Sequence, residues 1–309
     1  MSAKKERKLV SFDWAMKKLL RSKANFEVLE GFLSELLKDD VTIIEILESE
    51  SNKEDLLDKY NRVDLKVKNN QDEFILIEVQ YNREFDYLQR ILYQTAKTIT
   101  EHMKEAAPYS KVVKVISISI LYFELGYGKD YVYQGSTSFY GLHNNDELQL
   151  SISQKKLYGN NRKISEIYPE YYLIRVNKFN DIAKNTLDEW IYFLKNEEIK
   201  DSFSAKGLKK AKEVLDIIAL PEKERRAYEK YVDDLHYQAS MVESSYSIGM
   251  LKGEEKGEKK GLKKGLEEGE KKGRKKEKIE LAKALLDILD IKTISEKTGL
   301  SVKEIENLT

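Results

Sequence analysis

Apolar residues recur at helical spacing between Asp13 and Lys38, where Trp14, Leu19, Phe26, Leu29, Phe32, Leu33, Leu36 and Leu37 outline one helical segment. The period then shortens. VTIIEIL (41–47) is short and β-branched and predicts a strand, followed by an acidic loop over Glu48–Lys59. RVDLKV (62–67) and FILIEVQ (74–80) predict two more strands, joined by KNNQDE, whose Asn and Asp favour a turn. Phe85–Met103 contains neither Gly nor Pro and reads as a helix. VVKVISISILYF (112–123) reads as a strand, GYGKDYVYQG as a turn and short strand, and YYLIRV (171–176) as another strand. Beyond Asn185 the pattern is helical throughout: 186–199, 205–219 and 221–248, the last opening at Pro221. Helix, three strands, helix, strand, then further strands and helices is the order of a central mixed sheet flanked by helices, an α/β fold.

Within FILIEVQ the period of two puts Phe74, Leu76, Glu78 and Gln80 on one face and Ile75, Ile77 and Val79 on the other. A strand apolar on both faces is buried on both, so a carboxylate at its end is costly unless something compensates. Asp64 interrupts RVDLKV in the same way. If the two strands form an antiparallel hairpin, Asp64 and Glu78 can lie near each other on adjacent strands. Their mutual repulsion is relieved by a divalent cation, and a few hard oxygen ligands suit Mg²⁺ or Mn²⁺. The competing reading is a surface ion pair with Lys66 or Arg62.

Composition narrows the chemistry. The 309 residues include no cysteine and three histidines, which removes disulfides, thiolate zinc sites and cysteine nucleophiles. No apolar run approaches a membrane span, and the first residues lack a secretory core, so a cytoplasmic protein with no membrane partner is expected. The 54 basic and 54 acidic side chains cancel overall, which argues against a nucleic-acid partner until they are placed. Residues 1–25 carry +6, residues 26–248 −9, residues 249–278 +5 and residues 279–309 −2. DNA binding is therefore permitted locally.

Asp on one strand and Glu-x-Gln closing the next, in the order α-β-β-β-α-β, resembles the PD-(D/E)XK nuclease superfamily. Within it the chain most resembles the recombination-promoting nuclease/putative transposase (Rpn) family. The residues that carry this are SFDWAMKKLL (11–20), FLSELL (32–37), RVDLKV, LIEVQ and LQRILYQTAKTI (88–99). The resemblance implies a restriction-endonuclease-like fold over 1–185 and a metal-dependent DNA endonuclease active in recombination or on mobile or foreign DNA. It implies Asp64, Glu78 and the Val79 carbonyl as ligands of Mg²⁺ or Mn²⁺, with hydrolysis of a phosphodiester by activated water. Gln80 falls where the superfamily has lysine. An amide is no cation, so either glutamine suffices to orient water or a nearby lysine substitutes, and Lys66 is the local candidate. Gln89 and Tyr93 resemble a glutamine-tyrosine motif of one branch, and Arg90 and Lys17 match basic residues of the family pattern that would meet DNA phosphates. Lys18, Arg21 and Lys23 with Trp14 are further candidates for phosphate contact, and Glu27, Glu30 and Glu35 further candidate acids. Gln80 also supports the alternative, a non-catalytic DNA-binding or self-assembling protein that retains the fold.

A helical extension (186–248) leads to an arm (249–278) in which glycine recurs every fourth residue from Gly249 to Gly273. Four residues advance a helix by about 400°, so the stripe drifts roughly 40° per step. Seven interior glycines cost roughly 7 kcal/mol against alanine. The open readings are a flexible charged linker, a solvated helix, and a helix packed through its glycines in a homo-oligomer with a right-handed twist. In the tail (279–309), TISE (293–296) and SVKE (301–304) each read as a capping box starting a helix. With Gly299 between them they suggest a helix-turn-helix, whose acidic last helix favours docking or oligomerisation over DNA reading.

Overall fold

The computed structural model describes residues 9–47, 64–103, 107–158 and 163–308. The expected loop over Glu48–Lys59, with Arg62 and Val63, lies outside them. Two compact units are present, Met1–His236 and Tyr237–Thr309.

The first unit is built on a six-stranded mixed sheet of order β1-β2-β3-β4-β6-β5, from β1 (Ile43–Leu47), β2 (Leu65–Asn69), β3 (Phe74–Gln80), β4 (Val115–Leu121), β5 (Val132–Gly135) and β6 (Glu170–Arg175). β1, β2 and β3 run antiparallel in turn, β4 and β6 continue parallel to β3, and β5 closes the edge antiparallel to β6. The expected mixed α/β sheet is present. β4 is buried along its whole length and β3 up to Val79, as central strands covered on both faces must be.

Ile75, Ile77 and Val79 enter the main core with α1 (Phe12–Lys18), α2 (Phe26–Leu37), α5 (Thr186–Asn196) and α6 (Leu208–Val214). Phe74 and Leu76 face the other way, into a smaller cluster that includes Ile99 of α3 (Tyr87–His102). The two-face division of β3 is thus observed. α3 buries Tyr87, Ile91, Gln94, Thr95 and Thr98, a stripe at helical spacing. α2 and α6 pack closely because Gly31 and Gly207 lack side chains; a Cβ on Gly207 would stand 2.8 Å from the Glu27 carbonyl oxygen.

The opening segment is not one helix. α1 ends at Lys18, where the Asn25 side-chain amide donates to the Leu19 carbonyl (2.8 Å), and α2 starts afresh at Phe26. α4 (Ile152–Tyr158) adds a short helix that the sequence pattern does not announce.

One continuous helix, α7 (Glu222–Leu285), covers what reads in sequence as extension, arm and start of tail. The flexible-linker reading of the arm is therefore set aside: its residues between the glycines are strong helix formers, helped by ion pairs one turn apart such as Glu255–Lys259 (2.6 Å) and Glu270–Arg274 (2.6 Å). Apart from the helix's own neighbouring turns, no described atom lies within 4 Å of where a Cβ would sit on any of the seven arm glycines. In the second unit, α8 (Ile291–Thr298) is capped by Asp290, whose Oδ1 accepts from Lys292 and Thr293 (both 3.1 Å). TISE therefore lies inside a helix already begun, because an earlier carboxylate reaches the free amides first. The SVKE capping box is formed, starting α9 (Val302–Glu306) at Ser301. Gly299 ends α8 in the left-handed conformation (φ 68°), and Ala282, Ile294, Leu300 and Ile305 make a small core.

Candidate active site

β2 and β3 pair with Leu65 opposite Ile77 and Lys66 opposite Leu76. Continued by one residue, this register sets Asp64 opposite Glu78, at the end of the sheet where α1 approaches from one face and α3 from the other. Asp64 sits just before β2, and its Oδ2 accepts from the Val79 amide (2.7 Å). Lys17 of α1 places Nζ 3.3 Å from Asp64 Oδ1 and 2.7 Å from Asp13 Oδ1. Arg21, just past α1, donates to the Asp64 carbonyl (3.1 Å). Burial raises the Asp64 pKa above the usual carboxylate range, against the pull of Lys17. Burial also works against the Lys17 ammonium, yet Asp13 and Asp64 carry its pKa above the ordinary lysine value.

Glu78 is 5% exposed. Its Oε1 is paired with the Arg90 guanidinium from α3. Its Oε2 is buried and accepts no hydrogen bond among the described residues, with Gln94 close by. Burial pushes the Glu78 carboxyl up to about 7, with Arg90 opposing and Asp64 and Glu84 reinforcing. Arg90 also reaches Glu84 (2.6 Å). Gln80 donates to the same Glu84 oxygen (2.8 Å) and to the Asn82 carbonyl (3.1 Å). A carboxylate pair on adjacent strands, one of its oxygens buried without a donor, is an arrangement into which a hard cation fits.

A scan against family models matches residues 10–245 to PD-(D/E)XK nuclease family transposases. The chain belongs to this family. No curated protein and no solved structure matches it.

For this PD-(D/E)XK nuclease family transposase the remaining expected residues fall as follows. Lys66 shares the Glu78 face but its ammonium turns to Glu101 (3.6 Å) and lies over the Phe74 ring (5.6 Å). Glu101 is eleven residues beyond Arg90, about 16 Å along α3. Burial lowers the Lys66 pKa. Gln89 and Tyr93 are exposed; the pair one turn apart that reaches Glu78 is Arg90 and Gln94, one position along. Glu30 and Glu35 serve the scaffold: Glu30 accepts from the Ile43 amide (2.8 Å), and Glu35 from Thr186 (2.5 Å) and the Lys206 amide (3.1 Å). Glu27 is exposed. Among the described residues no group of three or more His, Asp or Glu is placed to hold a metal, and no helix is long and apolar enough to cross a membrane.

Gln94, Glu84 and the Lys17–Asp64 contact were not anticipated from sequence. The i,i+4 spacings Asp13–Lys17 and Arg90–Gln94 are the local signals that precede them.

Proposed function

We propose that this protein is a divalent-metal-dependent DNA endonuclease that hydrolyses phosphodiester bonds at Asp64 and Glu78. The supporting observation is the Glu78 carboxylate: it is buried, its Oε2 accepts no hydrogen bond among the described residues, and its pKa is pushed up to about 7 beside Asp64. Such a group is costly for the fold and suited to a cation. Asp64, Glu78 Oε2 and the Val79 carbonyl would hold Mg²⁺ or Mn²⁺. Once bound, the ion would lower the pKa of water and neutralise charge on the phosphoryl group. Arg90 orients Glu78 by holding its other oxygen, and the Val79 amide orients Asp64. Gln80, tied to Glu84, supplies no positive charge. Gln89 and Tyr93, exposed on α3 beside Arg90, would meet the DNA backbone.

One observation favours the second reading, a DNA-binding protein without cleavage. Both carboxylates already carry protein cations, Lys17 on Asp64 and Arg90 on Glu78, and Gln80 stands for a lysine. Plasmid nicking with Mg²⁺, Mn²⁺ or EDTA separates the two. The endonuclease nicks only with metal, and Asp64→Ala and Glu78→Ala each lose nicking while still binding DNA. Alanine variants that cut like the wild type remove the site assignment; a wild type that binds but never cuts establishes the second reading.

A further inference from the structure

Hydrolysis of a phosphodiester places negative charge on the phosphoryl oxygens, and a fixed cation that meets it accelerates the step. With glutamine at position 80, that cation has to come from elsewhere in the chain. Lys66 is buried and paired with Glu101. Arg90 spans two carboxylates, Glu78 and Glu84. Lys17 also bridges two carboxylates, Asp13 and Asp64, but its side chain is the most exposed of the three, 39% against 29% for Arg90 and 9% for Lys66.

What holds Lys17 is more elaborate than a surface phosphate contact requires. Asp13, one turn earlier, is 3% exposed, is ion-paired with Lys17 through Oδ1 and accepts the Tyr231 hydroxyl of α7 at Oδ2. Burying a carboxylate is tolerated when it is paired and hydrogen-bonded, and its partners are then fixed in place. Around it, Tyr228 accepts from the Ser11 amide (3.2 Å) and packs edge-on against Trp14 (5.3 Å). The result is an unbroken chain of contacts: Tyr231, Asp13, Lys17, Asp64, Val79 amide. It carries a structural restraint from α7 to the first carboxylate of the site.

We propose that Lys17 is the catalytic cation of this site, with Asp13 and Tyr231 as its positioning residues; the inference rests on the endonuclease reading. In the step, a water oxygen bonds to phosphorus as the bond from phosphorus to the leaving nucleoside oxygen breaks. The water releases a proton to solvent and the leaving oxygen takes one up. Lys17 stays protonated and donates a hydrogen bond to the non-bridging oxygen that gains charge.

The test is steady-state cleavage of a duplex with Mg²⁺ by the full chain, with melting curves to check folding. Lys17→Gln lowers kcat about a hundredfold or more with KM little changed, and Lys17→Arg recovers part of the loss. A raised KM with unchanged kcat, and a salt dependence shallower by about one phosphate contact, would instead make Lys17 a DNA-binding residue and overturn the proposal. Asp13→Asn and Tyr231→Phe lower kcat in the same direction although Lys17 keeps its charge. If Asp13→Asn does not fold, Tyr231→Phe decides the positioning role, and a wild-type rate in that variant rejects it. Mn²⁺ binding followed by calorimetry supplies a readout without turnover: Lys17→Gln binds at least as tightly as wild type, since a competing cation has left Asp64, whereas Asp64→Asn binds weakly. Weaker Mn²⁺ binding by Lys17→Gln overturns the proposal. A wild type that never cleaves removes the endonuclease reading and this inference together. A cleaving wild type matched by Lys17→Gln removes this inference alone.

Discussion

Glu78 concentrates the energetic tension of the site in one side chain. Its native carboxyl holds a proton up to about pH 7, whereas the unfolded one does so only to about 4.5. The stability this contributes is complete below the unfolded value and is lost as pH rises through the native one, by roughly 3 kcal/mol in all. Glu78→Gln keeps the shape without the titration. Its stability in denaturant melts declines less between pH 4.5 and 7 than that of wild type, and at pH 8 it exceeds wild type. A decline parallel to that of wild type would show that Glu78 is not the group responsible. Arg90 does not become isolated in this variant, because Glu84 still pairs with it. Mn²⁺ added at pH 8 raises the wild-type melting temperature and leaves that of Glu78→Gln unchanged, since binding stabilises only a chain that keeps the ligand.

Among the elements, α7 combines two unlike jobs. Its first turns are core material: Tyr228 is 3% exposed, and Tyr231 hydrogen-bonds to buried Asp13. Its glycine-bearing part is exposed along its length, with no other described residue packed against the missing Cβ positions. A glycine that packs against nothing costs a helix about 1 kcal/mol and returns nothing. Replacing Gly257, Gly261 and Gly265 by alanine therefore strengthens the helix by about 3 kcal/mol locally. Hydrogen exchange across 249–273 slows in that variant. If the substitutions instead reduce the mass of the protein in solution, a second copy packs on the glycines and the homo-oligomer expected from the repeat is real.

For the whole molecule, the unit Met1–His236 includes the start of α7, so a chain ending at His236 keeps the contacts of Tyr228 and Tyr231 with α1 and the Asp13–Lys17–Asp64 link. It melts cooperatively, while a chain ending at Leu220 loses those contacts and melts lower; circular dichroism against temperature distinguishes them. Equal melting of the two would show that α7 adds nothing to the first unit. By itself the sequence determined β3 and its two faces, the turn that pairs it with β2, and hence the meeting of Asp64 with Glu78. These are local properties: a period of two and a short hairpin carry them. It also determined the helical tail and its Ser301 cap. Tertiary structure alone decided which cations serve the two acids. Lys17 lies 47 residues before Asp64 and is turned to it by the docking of α1, and Lys66, two residues away in sequence, is drawn away by Glu101. A rotation of α3 by one residue, about 100°, likewise decided that Arg90 and Gln94 reach Glu78 while Gln89 and Tyr93 face outward. Helical periodicity states which residues share a face, and only packing chooses the face that turns inward.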